Sequence, residues 1–206
     1  MLGWSMRLRL AFDVFGTILD LSTLPYEFRR KQLEYTWLLT VMGKFVPFHE
    51  VTEKAMTYYL EAEGKLGDYH TMMEKWRDLK AFTDVSYLNE ISSLADIFAL
   101  SNGSVEEVKD RLRREGILNL FKGIFSAEEV KAYKPSPKVY RHFVENVGEP
   151  AFLVSSNPFD LMGAKNAGMG AIYLNRRGVK LDPLGFEVDL LVKDLKGLFL
   201  WLREKA

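Results

Sequence analysis

The chain predicts an α/β protein with a Rossmann-like parallel sheet and a small helical bundle inserted into it, on three observations. Through the second half, short apolar runs alternate with helical patterns, as strands buried on both faces alternate with their crossover helices. Between the first run and the second lies a long stretch with helical patterns only. Three of the runs end in polar side chains followed by a turn, as strands do where an α/β sheet presents its carboxyl edge to chemistry.

The first run, Leu8 to Phe12, stops at Asp13, and Val14-Phe15-Gly16-Thr17 follows as a glycine turn with a hydroxyl. A carboxylate at a strand tip is placed where a nucleophile belongs. Met1 to Met6, with a second methionine at their end, are given no role. From about Tyr26 through Leu79 the pattern is amphipathic helix. Pro25 stands at a helix start, Gly43 and Pro47 follow a helix, and the turn from Gly64 to Asp68 divides the rest. The insertion reads as a bundle over the strand ends, a cap of residues 18–82 on a core of residues 1–17 and 83–206. In its first helix Arg29, Leu33 and Trp37 share a stripe. The Arg29 guanidinium therefore lies on the face expected to pack downward, in reach of a cleft between cap and core.

The next run, Ile97 to Leu100, ends in Ser101-Asn102-Gly103-Ser104, which offers an anion a hydroxyl, an amide and backbone N–H groups. A helix N-cap produces a similar string. Glu106 to Glu115 mixes both charge signs at helical spacing and reads as a solvated face. After Ile124 and Phe125 come Lys134-Pro135 and, six positions beyond the lysine, Tyr140. The proline is expected to start the next helix and to hold the ammonium at an element boundary, where its natural partner is a carboxylate. The run Phe152 to Val154 ends in Ser155-Ser156-Asn157-Pro158-Phe159-Asp160, and Asp160 falls in the first turn of a helix, where it also complements the dipole. Gly163, Gly168 and Gly170 lack the Gly-Lys-Ser/Thr of a phosphate loop and read as packing positions and a C-cap. Ala171 to Leu174 and Leu190 to Val192 complete a sheet of five or six strands.

Composition excludes several classes. With 206 residues, 48% of them hydrophobic, the chain can bury a full core. Lys plus Arg equals Asp plus Glu at 28 each, so charge gives no reason to expect nucleic acid or an anionic membrane as partner. Cysteine is absent, which removes disulfides and thiolate metal sites, and no apolar stretch is long enough for a span or a signal segment. A cytoplasmic protein is the expectation.

These residues together resemble the haloacid dehalogenase superfamily, and within it the L-2-haloacid dehalogenases, over nearly the whole length. Four motifs appear in the family's order: Asp13 with Gly16-Thr17, Ser101-Asn102-Gly103, Lys134-Pro135, and Ser155-Ser156-Asn157 with Asp160. The subgroup is marked by an aromatic residue, Phe15, two positions after Asp13. Phosphate-transferring relatives carry a second aspartate there. Lys31-Gln32-Leu33-Glu34-Tyr35-Thr36-Trp37 is also similar to the subgroup's cap segment. Phe159 departs from the pattern, which has tryptophan at that position.

The resemblance implies that Asp13 attacks C2 of an L-2-haloacid, expels halide with inversion and forms an ester. Water then cleaves the ester to a D-2-hydroxy acid. A substrate carboxylate about 4 Å from Asp13 costs roughly 4 kcal/mol at an effective dielectric near 20, so cations must offset it. By the same resemblance Lys134 orients Asp13 and Asp160, and Arg29 with Asn102 stabilises the departing halide. Ser101 and the backbone N–H groups of Val14 and Phe15 hold the substrate carboxylate. Thr17, Tyr140, Ser155, Asn157 and Asp160 set the ester and the hydrolytic water, with Asp160 as base. Phe15, Leu33, Phe48 and Phe159 form the dry walls. No cofactor and no metal are expected, and a homodimer is implied. A metal-dependent phosphatase or phosphonatase on the same fold is the principal rival, and a non-catalytic binding protein is another. Ring-opening hydrolysis of a small cyclic amino acid would use the same displacement.

Overall fold

The computed structural model describes residues 7–206, and Met1 to Met6 lie outside them. One sheet of six strands runs β1 (Arg9–Phe12), β2 (Asp96–Ser101), β3 (Ile124–Ser126), β4 (Ala151–Ser155), β5 (Gly170–Leu174) and β6 (Leu190–Val192) in chain order. Its spatial order is β3-β2-β1-β4-β5-β6, and every pairing is parallel. Leu10, Ala11, Phe12, Leu153, Ala171 and Ile172 are all fully buried, as strands covered on both faces require. The order reverses on either side of β1, so a crevice opens between β1 and β4 at their carboxyl ends.

Helices α1 (Tyr26–Val41), α2 (Phe48–Ala62) and α3 (Tyr69–Arg77) occupy the stretch between β1 and β2, followed by α4 (Leu88–Leu94). The crossovers α5 (Val105–Arg114), α6 (Pro137–Val147) and α7 (Pro158–Asn166) and the terminal α8 (Leu195–Lys205) cover the sheet. The chain segments entering and leaving the inserted helices pair as a short ribbon: Leu19 bridges to Ala81, and Phe82 N donates to the Ile18 carbonyl at 2.9 Å. Beside it, Arg176 forks onto both oxygens of Asp84 and donates to the Thr17 carbonyl at 2.7 Å, which ties the ribbon to the turn after β1. Among the described residues no helix is long and apolar enough to cross a membrane.

Three local expectations need correction. The inward face of α1 is Phe28, Gln32 and Thr36, one position round from the Arg29–Leu33–Trp37 stripe. Two polar residues are buried because each finds a partner: Gln32 Nε2 donates to Thr52 Oγ1 at 2.7 Å, and Thr36 Oγ1 to the Leu33 carbonyl at 2.6 Å. Arg29 and Leu33 lie half-buried at the seam, and Trp37 is 37% exposed. Pro137, with Ser136 before it, opens α6, while Pro135 sits in the preceding turn. Helix α5 is not simply a solvated charged face, since Arg111 is buried with Val108 and Leu112.

Candidate active site

The rim of the sheet assembles the site because of register. Phe12 pairs with Ala99 on one side and Val154 on the other, so Asp13, Ser101 and Ser155 emerge together at three adjacent strand ends. Gly16 turns the chain back with φ +88°, a conformation that L side chains rarely adopt. Asp13 is only 6% exposed, and its two oxygens meet different surroundings. Oδ2 accepts from Thr17 Oγ1 at 2.9 Å, Ser155 Oγ at 3.3 Å and Asn157 Nδ2 at 2.6 Å. Oδ1 accepts from Lys134 Nζ at 3.1 Å.

Lys134 is the centre of charge. Its Nζ also donates to Asp160 Oδ2 at 2.8 Å and to the Leu100 carbonyl at 2.6 Å, and its backbone N–H donates to Asn102 Oδ1 at 3.0 Å. Burial by itself would lower its pKa, but Asp13 and Asp160 outweigh that and hold it above the ordinary lysine value. Tyr140 Oη donates to Asp160 Oδ1 at 2.6 Å, and the Tyr140 pKa is driven well up by burial first and then by Asp160. Burial raises the Asp160 carboxyl above the usual aspartate range against the pull of Lys134. Helix α7 comes this close to α6 because residue 163 is glycine: a Cβ there would stand 2.5 Å from Tyr140 Oη and 2.7 Å from Pro135 Cβ.

Arg29 reaches down from α1. Its Nη2 donates to the Phe15 carbonyl at 3.4 Å, which also accepts from Asn157 Nδ2 at 3.2 Å. Burial pulls the guanidinium down to about 10, opposed by Asp13 and Asp160. Its Nη1 is held by Gln32 Oε1 at 2.7 Å. Gln32 continues through Thr52 Oγ1 to the Phe48 carbonyl at 2.9 Å, so a buried polar chain aims the cation. Because Asn102 Oδ1 faces Lys134 N, the Asn102 amide N–H2 is the end that can face an anion. The backbone N–H groups of Val14 and Phe15 have no acceptor among the described residues. Ser101 Oγ, fully buried, accepts from Gly103 N at 3.1 Å.

The expected walls separate into two groups. Phe15 and Phe48 pack together at 5.6 Å, and both meet Trp76 of α3, an aromatic absent from the sequence-level candidates. Phe159 instead meets Trp37 edge-on at 5.4 Å and lines an apolar cleft of about 680 Å³ with Tyr133, Pro135 and Met162. The lining of that cleft includes neither Asp13 nor Lys134 nor Arg29. Leu33 is half-buried at the seam beside Arg29. No local signal marks Trp76, Gln32 or Thr52 as parts of a site, since each reads as one position in an amphipathic helix.

This arrangement suits covalent displacement. One oxygen of a buried carboxylate faces a single ammonium, and the other already carries three donors of the kind an ester carbonyl or its oxyanion needs. Among the described residues no group of three or more His, Cys, Asp or Glu side chains is placed to hold a metal.

A family model described as haloacid dehalogenase-like hydrolase matches residues 10–174. Haloacetate dehalogenase H-2 of Moraxella sp. (strain B) is 32% identical, covering 89% of this chain and 92% of that protein. (S)-2-haloacid dehalogenase 4A of Burkholderia cepacia is 30% identical, covering 87% and 90%. The solved L-2-haloacid dehalogenase of Xanthobacter autotrophicus superposes with a TM-score of 0.86 at 25% identity, covering 98% of this chain and 100% of that one.

Proposed function

The chain belongs to the haloacid dehalogenase-like hydrolase family, and from that premise we propose that it hydrolyses short L-2-haloacids to D-2-hydroxy acids through an ester on Asp13. The observation that carries the reading is the division of labour between the two Asp13 oxygens. Oδ1 attacks C2 from the face opposite the halogen, the Oδ1–C2 bond forms as the carbon–halogen bond breaks, and C2 inverts. The halide leaves toward the Arg29 guanidinium and the Asn102 amide, where negative charge grows in the transition state. Ser101 and the N–H groups of Val14 and Phe15 take the substrate carboxylate. Residues 18–82 act as the cap that closes this site over the core, with Phe15, Leu33 and Phe48 excluding water, while Phe159 packs on Trp37 in the neighbouring cleft.

In the second half, water attacks the Asp13 carbonyl carbon and gives its proton to Asp160, whose burial-raised pKa suits a base. Thr17, Ser155 and Asn157 hold the oxyanion at Oδ2. Collapse breaks the Cγ–Oδ1 bond, so the product hydroxyl carries an oxygen from Asp13. Tyr140 and Lys134 keep Asp160 in place. The donor set does not fit a divalent cation. The ammonium of Lys134 stands between Asp13 and Asp160, and Phe15 occupies the position of a second acid. A homodimer built on Leu38, Val41 and Met42, exposed at the end of α1, completes the reading.

The test is chloride release from each enantiomer of 2-chloropropionate, with and without EDTA. The L form is expected to yield chloride and D-lactate at the same rate in both conditions. Loss of activity with EDTA, or turnover of p-nitrophenyl phosphate in its place, would favour the phosphatase reading. Within the same reaction, Gln32→Ala frees Arg29 and is expected to lower kcat/KM by about 10²-fold. Gln32→Glu, which keeps an acceptor for Arg29, should retain more activity. Equal losses in the two variants would refute a positioning role for Gln32.

A further inference from the structure

We propose that Trp76, clamped by the Glu107–Arg111 pair of α5, limits the chain length of accepted substrates by holding the Phe15 ring in place. The proposal rests on the haloacid reading above and deepens it.

Trp76 stands near the end of α3 and is 3% exposed. Its ring stacks on Phe15 at 4.8 Å with 18° between planes, and Phe28 meets it edge-on at 6.0 Å. Phe15 is thus gripped from the cap by Trp76 and Phe48. From the core it is pressed by the turn after β2, where a Cβ on Gly103 would stand 2.9 Å from Phe15 Cε2. Phe15 stands two positions after Asp13, and its backbone carbonyl is pinned by Arg29 and Asn157. A longer alkyl group on C2 needs the ring to move aside, and a ring held on these sides has nowhere to go.

The clamp comes from the core. Arg111 Nη1 donates to the carbonyls of Trp76, at 2.7 Å, and Arg77, while Nη2 bonds Glu107 Oε1 at 3.3 Å. These are the last carbonyls of α3, where a cation also meets the negative end of the helix dipole. The guanidinium carbon lies 5.7 Å from the Trp76 ring and 5.9 Å from that of Phe15. Burial raises the Glu107 carboxyl, with Arg111 and the Trp76 indole pulling against it. A charged pair this buried is a weak source of stability compared with apolar residues of the same volume. Its specific effect is geometric: it binds a core helix to one end of a cap helix, and so to the wall of the site. Trp76, Glu107 and Arg111 are positioning residues for Phe15.

The experiment measures kcat/KM for L-2-bromopropionate and L-2-bromohexanoate in wild type, Trp76→Phe, Trp76→Ala and Arg111→Met. The hexanoate-to-propionate ratio is expected to rise about tenfold or more in Trp76→Ala. It should rise in Arg111→Met, which removes the clamp but keeps bulk, and stay near wild type in Trp76→Phe, which keeps the stack. A general loss of structural integrity lowers both rates without moving their ratio. If Trp76→Ala fails to fold, Arg111→Met decides. An unchanged ratio in a wild type active on bromopropionate overturns this proposal alone. A wild type inactive on bromopropionate overturns the haloacid reading, and this proposal falls with it.

Discussion

Asp13→Asn is expected to lower turnover of L-2-chloropropionate by at least ~10⁴-fold, with the fold retained. The replacement is nearly isosteric. Its amide oxygen can still accept from Thr17, Ser155 and Asn157 at the Oδ2 position, so the turn after β1 keeps its bonds. The atom facing Lys134 becomes an N–H2 group with no lone pair to offer C2, and the displacement has no nucleophile. Circular dichroism and chloride release on the same preparation check both halves of the statement. Single turnover of wild type in heavy-oxygen water should give unlabelled product and labelled Asp13, because the product oxygen comes from the side chain. Label appearing in the first product would mean that water attacks C2 directly.

Lys134→Ala should be the other severe change, and it acts on stability as well as on rate. Lys134 is 2% exposed and bonds two buried carboxylates. Removing it leaves them facing each other without the ammonium between them, a loss of about 3–5 kcal/mol at neutral pH. Without Lys134, burial and repulsion from Asp13 raise the Asp160 carboxyl unopposed, so it takes up a proton as pH falls and the penalty shrinks. Turnover is expected to fall by about 10³-fold, because Oδ1 is no longer oriented and Asp160 loses its anchor. Denaturant midpoints of the two proteins at neutral and acidic pH test this directly. A stability gap that stays constant across that range would show that the lysine is not neutralising these acids.

Much of the site is legible along the chain because each part is a local event. Asp13, Ser101 and Ser155 all end an apolar run, and a run that ends in a polar side chain and a turn says both that a strand stops and which residue stands at its tip. Lys134 is legible because a lysine at a turn before a helix needs a carboxylate to justify its place. The stripe on α1 is misread by one position because Gln32 and Thr36 look solvent-facing until their partners are known. Pro135 and Pro137 are two residues apart, and either suits a helix start, so the earlier one misleads.

The amino-acid order by itself determined the layered parallel sheet, the inserted helices and the polar residues at the strand tips, since periodicity and turn chemistry act over a few neighbours. Only the tertiary structure decided which donors share Oδ2 of Asp13, because Ser155 and Asn157 lie 142 and 144 positions away. It also decided that Arg111, one charge among many on α5, is buried against α3, 35 positions earlier. Whether a polar or charged side chain is buried depends on a partner from another element, and hydrogen bonds and ion pairs leave no periodic trace in either segment.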